Sequence, residues 1–182
     1  MNIAQTKAKN DLIQNIIFRV SLNAAFQRNK IYHKKLSATD DKKLKLYLKT
    51  KLASLLNQIQ TQKHYTDIDH YKTIILFSEE VSGSNNKYLE NGRLTIGTSQ
   101  KLINVYWKMS WLLQKNIPVP IHCPFDGFII RNLGKMVRDI KWTNMDKIDD
   151  YKRLVTAAKQ KSNGISLAKW ELLHYNNIGL GL

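Results

Sequence analysis

Two side chains in the middle of this chain could take part in covalent chemistry, Lys101 and Asp126. Lys101 follows Thr98 and Ser99, either of which can cap a helix running from about Gln100 to Lys115. In the first turn of that helix an ammonium group meets the positive end of the helix dipole and apolar neighbours, and both disfavour its charged form. A lysine so placed can act as an amine nucleophile; the same position also suits a water-exposed lysine that touches phosphate. Asp126 follows Pro118, Pro120 and Pro124, the only three prolines in the chain. Each proline fixes its own φ and keeps the residue before it out of the helical region, which makes a stiff connector. Phe128, Ile129 and Ile130 come next, so Asp126 reads either as a carboxylate delivered into apolar surroundings or as the cap of the following helix. Arg131 is a partner for it or a phosphate contact. His122 and Cys123 adjoin the same segment, but neighbouring side chains diverge, and a buried structural thiol is the better reading of the single cysteine. The other histidines, His33, His64, His70 and His174, show no ligand spacing, so neither metal nor cofactor is expected.

The elements that must position this pair read as helices. Leu12, Ile16 and Val20, with Ile13, Ile17 and Ala24 beside them, give an apolar stripe from Asp11 to about Arg28. Ser37 to Asp41 reads as a helix start, followed by Leu44, Leu48, Leu52, Leu55, Leu56 and Ile59 on one face and by Lys42, Lys43, Lys45, Lys49 and Lys51 on the other. That lysine row is a solvated face or a track for phosphates. Thr66 to Asp69 caps a third helix through Phe77, although Thr73 to Phe77 alone also suits a short buried strand, and Gly83 to Asn86 reads as a loop. A helix from about Phe125 ends near Gly134, another runs from Thr143 to about Lys161 and stops at Asn163-Gly164, and a last one starts at Ser166. The expectation is an all-α fold of six to eight helices, one domain over residues 1–182 or two helical lobes around a cleft.

Composition sets the partner class. The chain has 43% hydrophobic and 24% charged residues, ordinary for a globular protein, but its 29 Lys and Arg against 14 Asp and Glu leave a net charge of +15. Such a field draws in polyanions, so nucleic acid is the expected partner. One cysteine excludes an internal disulfide and any iron–sulfur or zinc site built from several thiolates of one chain. The chain shows neither the apolar core of a signal peptide nor an uncharged apolar run of membrane-spanning length. A cytoplasmic protein with no membrane partner is expected, associated with the nucleoid if it binds DNA, in an oligomeric state the sequence does not specify.

The segment Gly97-Thr98-Ser99-Gln100-Lys101-Leu102-Ile103-Asn104-Val105 resembles the turn and second helix of the helix-hairpin-helix DNA glycosylases related to endonuclease III, whose motif runs Gly-x-Gly-x-Lys-x-x-Asn. Pro124-Phe125-Asp126-Gly127-Phe128-Ile129-Ile130-Arg131 is similar to that family's catalytic-aspartate segment, in which an arginine follows at the same distance. The likeness covers about 40 of the 182 residues. It implies a helix-hairpin-helix element around residues 88–115 and a base-excision enzyme acting on duplex DNA. In that reading Asp126 is the catalytic carboxylate and Lys101 the lysine that forms a Schiff base. Gly97, Ser99, Asn104 and Arg131 would meet the DNA, while Trp107 and Trp142, with Tyr106 and Trp111, are aromatic candidates for the base pocket. At helical spacing the same aromatics suit a core. Ser99 stands where the family has its second hairpin glycine, the insert between lysine and aspartate is longer, and the four-cysteine cluster that some members carry is absent. Two other functions fit the residues: a non-catalytic basic helical module that binds nucleic acid, and a protein-interaction partner with an exposed apolar patch.

Overall fold

Asn2 opens the first helix with a capping box: its side chain accepts from Gln5 N at 2.8 Å, and the Gln5 side chain accepts from Asn2 N at 3.0 Å. The helix therefore starts well before Asp11. The computed structural model describes residues 2–33 and 36–179, with side chains through His174. Helix α1 (Ile3–Phe26) buries Ile17, Phe18, Ser21, Leu22, Ala25 and Phe26. Of the expected stripe, Leu12, Ile16 and Val20 face outward at 60%, 43% and 39% exposed, whereas Ile17 is buried and Ile13 and Ala24 are half-buried. The helix carries two apolar faces, and the one turned inward has the small residues Ser21 and Ala25, which let a neighbouring helix come close. That neighbour is the central helix α4 (Ile96–Leu113), and Tyr106 of α4 donates its hydroxyl to Gln14 Oε1 at 3.1 Å.

Helix α2 (Ala38–Thr61) is capped by Ser37 and buries Leu44, Leu48, Leu52, Leu56 and Ile59. Its lysine row is largely neutralised, because Lys43 pairs with Asp40, Lys45 with Asp41 and Lys51 with Glu80. Helix α3 (Asp67–Asn85) starts at a Thr66–Asp69 capping box and is a helix throughout, so the strand alternative for Thr73 to Phe77 falls away. It runs on through Gly83 to Asn85, where a loop was expected: a Cβ at Gly83 would meet nothing within 4 Å, and a solvent-facing helical glycine costs only about 1 kcal/mol. Two 3-10 turns, Asn86–Tyr88 and Glu90–Gly92, lead into α4. After the proline connector come α5 (Gly127–Leu133), 3-10 turns at Lys135–Val137 and Trp142–Asn144, α6 (Ile148–Ser162) and α7 (Leu167–Gly179). The helix expected from Thr143 thus begins at Ile148. It stops where expected, at Asn163 with φ 48° and Gly164 with φ 82°.

The described residues form no strand, only an isolated antiparallel bridge between Tyr32 and Leu89, and the fold is all-α, 74% helical. One contiguous apolar cluster takes residues from all seven helices, among them Ile17, Leu44, Ile74, Leu102, Ile129, Leu154 and Leu167. Helix α4 runs through its middle, with all residues from Ile96 to Trp107 buried. Among the described residues no helix is long and apolar enough to cross a membrane.

Candidate active site

The first turn of α4 is closed by the fold itself. Thr95 caps it, its hydroxyl accepting from Thr98 N at 3.3 Å; Asp146 Oδ1 takes Ile96 N at 3.3 Å; Met145 O takes Gly97 N at 2.7 Å. Gly97 and Ser99, expected in a turn, belong to the helix. Gly97 is a glycine because a Cβ there would lie 1.8 Å from Trp142 O. The 142–145 turn therefore lies directly on α4, and it carries the Trp142 ring to the Lys101 ammonium, 4.2 Å from Nζ to the ring centroid.

Asp126 reaches the same ammonium from the other side. Its Oδ1 accepts from Phe128 N and Ile129 N, both at 3.0 Å, which makes it the N-cap of α5 and leaves Oδ2 facing Lys101 Nζ at 3.5 Å. The capping reading of this carboxylate is met by one oxygen, while the other faces the lysine. The Lys101 side chain is 6% exposed and that of Asp126 29%, so the carboxylate is the more open of the two. Burial lowers the Lys101 pKa, Asp126 opposes the shift, and Arg28 and Lys108 are near enough to add to it. Lys108, the other lysine of this helix, is clamped by both oxygens of Glu171 at 2.9 Å each. Burial pushes the Glu171 carboxyl up against the pull of Lys108, and the Cys123 thiol is pushed well up by burial too. Two lysines of α4 thus face two carboxylates, Asp126 at the cap of α5 and Glu171 in α7.

A buried polar network holds the connector that delivers Asp126. Gln100 takes Phe125 at both ends, donating from Nε2 to its O at 2.9 Å and accepting its N–H at Oε1 at 3.2 Å. Asn104 Nδ2 donates to Cys123 O at 3.1 Å and to the Tyr151 hydroxyl at 3.0 Å, and Asn104 Oδ1 accepts from His70 Nε2 at 2.8 Å. Because an amide oxygen only accepts, His70 carries its proton on Nε2, and its Nδ1 lies 3.1 Å from the Tyr65 hydroxyl. On the far side the Tyr151 hydroxyl donates to His122 Nδ1 at 2.9 Å, and His122 Nε2 donates to Asp67 Oδ1 at 3.2 Å. Asp67 also pairs with Lys159. Every polar atom on this path has a partner, which is what buried polar groups require. Burial lowers the pKa of both histidines, and the His122 hydrogen bond with the Lys159 charge holds the Asp67 carboxyl well below the usual range.

Of the residues singled out in the sequence, the structure gathers Lys101, Asp126 and Trp142 into one place. Arg131 is exposed and folds back over the start of α5, its Nη1 3.4 Å from where a Cβ on Gly127 would be. Gly97, Ser99, Asn104 and Trp107 are buried, Asn104 in the polar network and Trp107 with its indole N–H on Pro118 O at 2.9 Å. Tyr106 is buried on Gln14, and Trp111 is half-buried farther along α4. Sequence reasoning missed Gln100, Glu171 and Arg28. The first two left a signal: Gln100 with Asn104 is an amide pair at helical spacing in an apolar helix, and Glu171 interrupts the apolar run of α7. Among the described residues no three His, Cys, Asp or Glu side chains gather as a metal site would need. No protein-family model matches the chain, and no curated protein or solved structure matches it significantly.

Proposed function

We propose that this chain removes a modified or damaged base from DNA by breaking its N-glycosidic bond, with Lys101 as the amine and Asp126 as the carboxylate. The observation that carries the reading is the Lys101–Asp126 pair, 3.5 Å apart, with the lysine depressed by burial and lying on the face of Trp142. A buried amine of lowered proton affinity beside a carboxylate is the arrangement that amine nucleophiles need. The net charge of +15 supports a polyanionic substrate.

The target nucleotide must leave the stack before its C1′ can reach the pair, at a cost of about a few kcal/mol that phosphate and pocket contacts offset. Asp126 Oδ2 stabilises the positive charge that grows on the sugar as the C1′–base bond breaks, and the base departs with the bonding electron pair. In its uncharged form, which burial favours, the Lys101 amine adds to C1′ and loses a proton towards Asp126, and opening of the sugar ring gives the Schiff base from which strand cleavage follows. Where water takes the place of the amine, Asp126 serves as its base and the product is an abasic site.

A second reading, a basic module that binds nucleic acid without chemistry, is favoured by the closed start of α4. The amides of Ile96, Gly97 and Thr98 are already engaged, and Lys101 is nearly sealed. Incubation with duplexes carrying different damaged bases under borohydride separates the two. The enzyme reading predicts base release and a trapped covalent adduct on at least one duplex; binding to all with neither product supports the module.

A further inference from the structure

At Thr98, three residues before Lys101 on α4, lies a polar groove of about 520 Å³, bounded by the end of α1, the Glu90–Gly92 turn, the cap of α4 and residues 143–146. Arg28, Lys30 and Arg93 line it together with Asn29 and Asn144. Its two carboxylates are Glu90 and Asp146, but Asp146 is consumed internally, by Arg93 Nε at 2.6 Å and by Ile96 N at 3.3 Å. That leaves Arg28 and Lys30, both exposed and neither within ion-pair distance of a carboxylate among the described residues, against Glu90 alone. Asn29, between them in sequence, donates from Nδ2 to Thr98 Oγ1 at 3.0 Å and ties their turn to the start of α4.

The α2 lysine row offers a comparison. Three of its five members are paired with carboxylates, which leaves Lys42 and Lys49, spread along the helix, as its unpaired cations among the described residues. What sets the groove apart is that its two unpaired cations line one concave site, on a turn that Asn29 ties to the central helix. It is also close to the chemistry, since Arg28 is near enough to Lys101 to disfavour its charge. We propose that this groove is the phosphate-backbone track of the protein, with Arg28 and Lys30 each engaging a phosphodiester of a nucleic-acid strand that passes the Lys101–Asp126 pair. The inference rests on the nucleic-acid part of the proposed function and not on its chemistry.

The test measures binding of a fluorescein-labelled, undamaged duplex by anisotropy over a range of salt concentrations. It compares the wild type with Arg28→Gln/Lys30→Gln and with Lys42→Gln/Lys49→Gln, which removes equal charge from α2. Loss of two phosphate contacts makes the slope of log affinity against log salt shallower by about 1.8 in the groove variant, with little change in the α2 variant. Glu90→Gln is expected to tighten binding. Thermal melts establish that each variant is folded, and the substituted cations are at the surface. Equal loss in both double variants, or an unchanged slope in the groove variant, overturns the track while leaving nucleic acid as the partner. Absence of duplex binding by the wild type overturns both, whereas failure of borohydride trapping touches only the chemistry. A nucleoside triphosphate that displaces the duplex at equal phosphate concentration reassigns the groove to a free nucleotide and overturns the track as well.

Discussion

Asp126 does two jobs with two oxygens, and substitutions separate them. Asp126→Asn keeps a side-chain oxygen for Phe128 N and Ile129 N, whereas Asp126→Ala removes the cap, which typically costs about 1 kcal/mol. The alanine variant is therefore expected to unfold in urea with about 1 kcal/mol less stability than the asparagine variant. Equal stabilities would mean that the capping geometry carries no weight. Gly97→Ala brings a Cβ against the main-chain carbonyl of Trp142, which cannot move without the 142–145 turn, and is expected to cost about 3 kcal/mol or more by the same measurement. The glycine is legible in the sequence, but its reason is not: a turn for DNA and a seat for a distant carbonyl leave the same letter. Asp126 is legible because a proline connector is a local signal, whereas Lys101 was singled out from a first turn capped by Thr98 or Ser99, and with Thr95 as the cap it falls in the second turn of α4. Glu171 is not, since its partner Lys108 lies on a different helix and no local pattern links them.

At the scale of elements, the network through α3, the connector, α4 and α6 makes acid the weak side of this fold. His70 and His122 are neutral in the fold with pKa values lowered by burial, so on acidification the unfolded chain takes up protons first. Their contribution is then lost progressively as pH falls below about 6.5. Asp67 has a folded pKa depressed below its unfolded value, so its contribution is present above about 3.9 and disappears only as pH falls further, through the folded value. Melting temperature should therefore decline in two stages, the first beginning near neutrality. In His70→Gln the first stage should be shallower between about pH 7 and 5, and an unchanged profile would remove His70 from the explanation. Helix existence was readable element by element, and the caps at Ser37, Thr66 and Asn163 do what their residue types suggest. The inward face of α1 was not readable, because two apolar faces compete and only the approach of α4 selects the one with Ser21 and Ala25. The start of α4 was misplaced for a related reason: two amides of its first turn, those of Ile96 and Gly97, are satisfied by Asp146 and Met145, far along the chain.

For the molecule as a whole, the excess of cations matters through where it is left unpaired. Asp40, Asp41, Glu80, Asp139, Asp149 and Asp150 are matched with lysine or arginine at the surface, while Asp126 and Glu171 are matched at the candidate site. Exposed pairs of this kind add little stability, and their effect here is to concentrate the remaining positive field on other surfaces. Duplex binding is expected to weaken by about three to five decades between about 50 and 200 mM salt, if some 6–10 phosphates are contacted. A flat response in a titration would point to a protein partner in place of a nucleic acid.

The most direct test of the central claim locates the covalent adduct. After borohydride reduction with the duplex that gives base release, peptide mapping is predicted to find the sugar remnant on Lys101, which has one long contact to Asp126, and not on Lys108, which both oxygens of Glu171 hold. Lys101→Gln should abolish trapping, and Asp126→Asn should lose base excision while still binding the duplex. An adduct on Lys108, or a confirmed excision activity that survives Asp126→Asn undiminished, would contradict the assignment of this pair as the reacting groups.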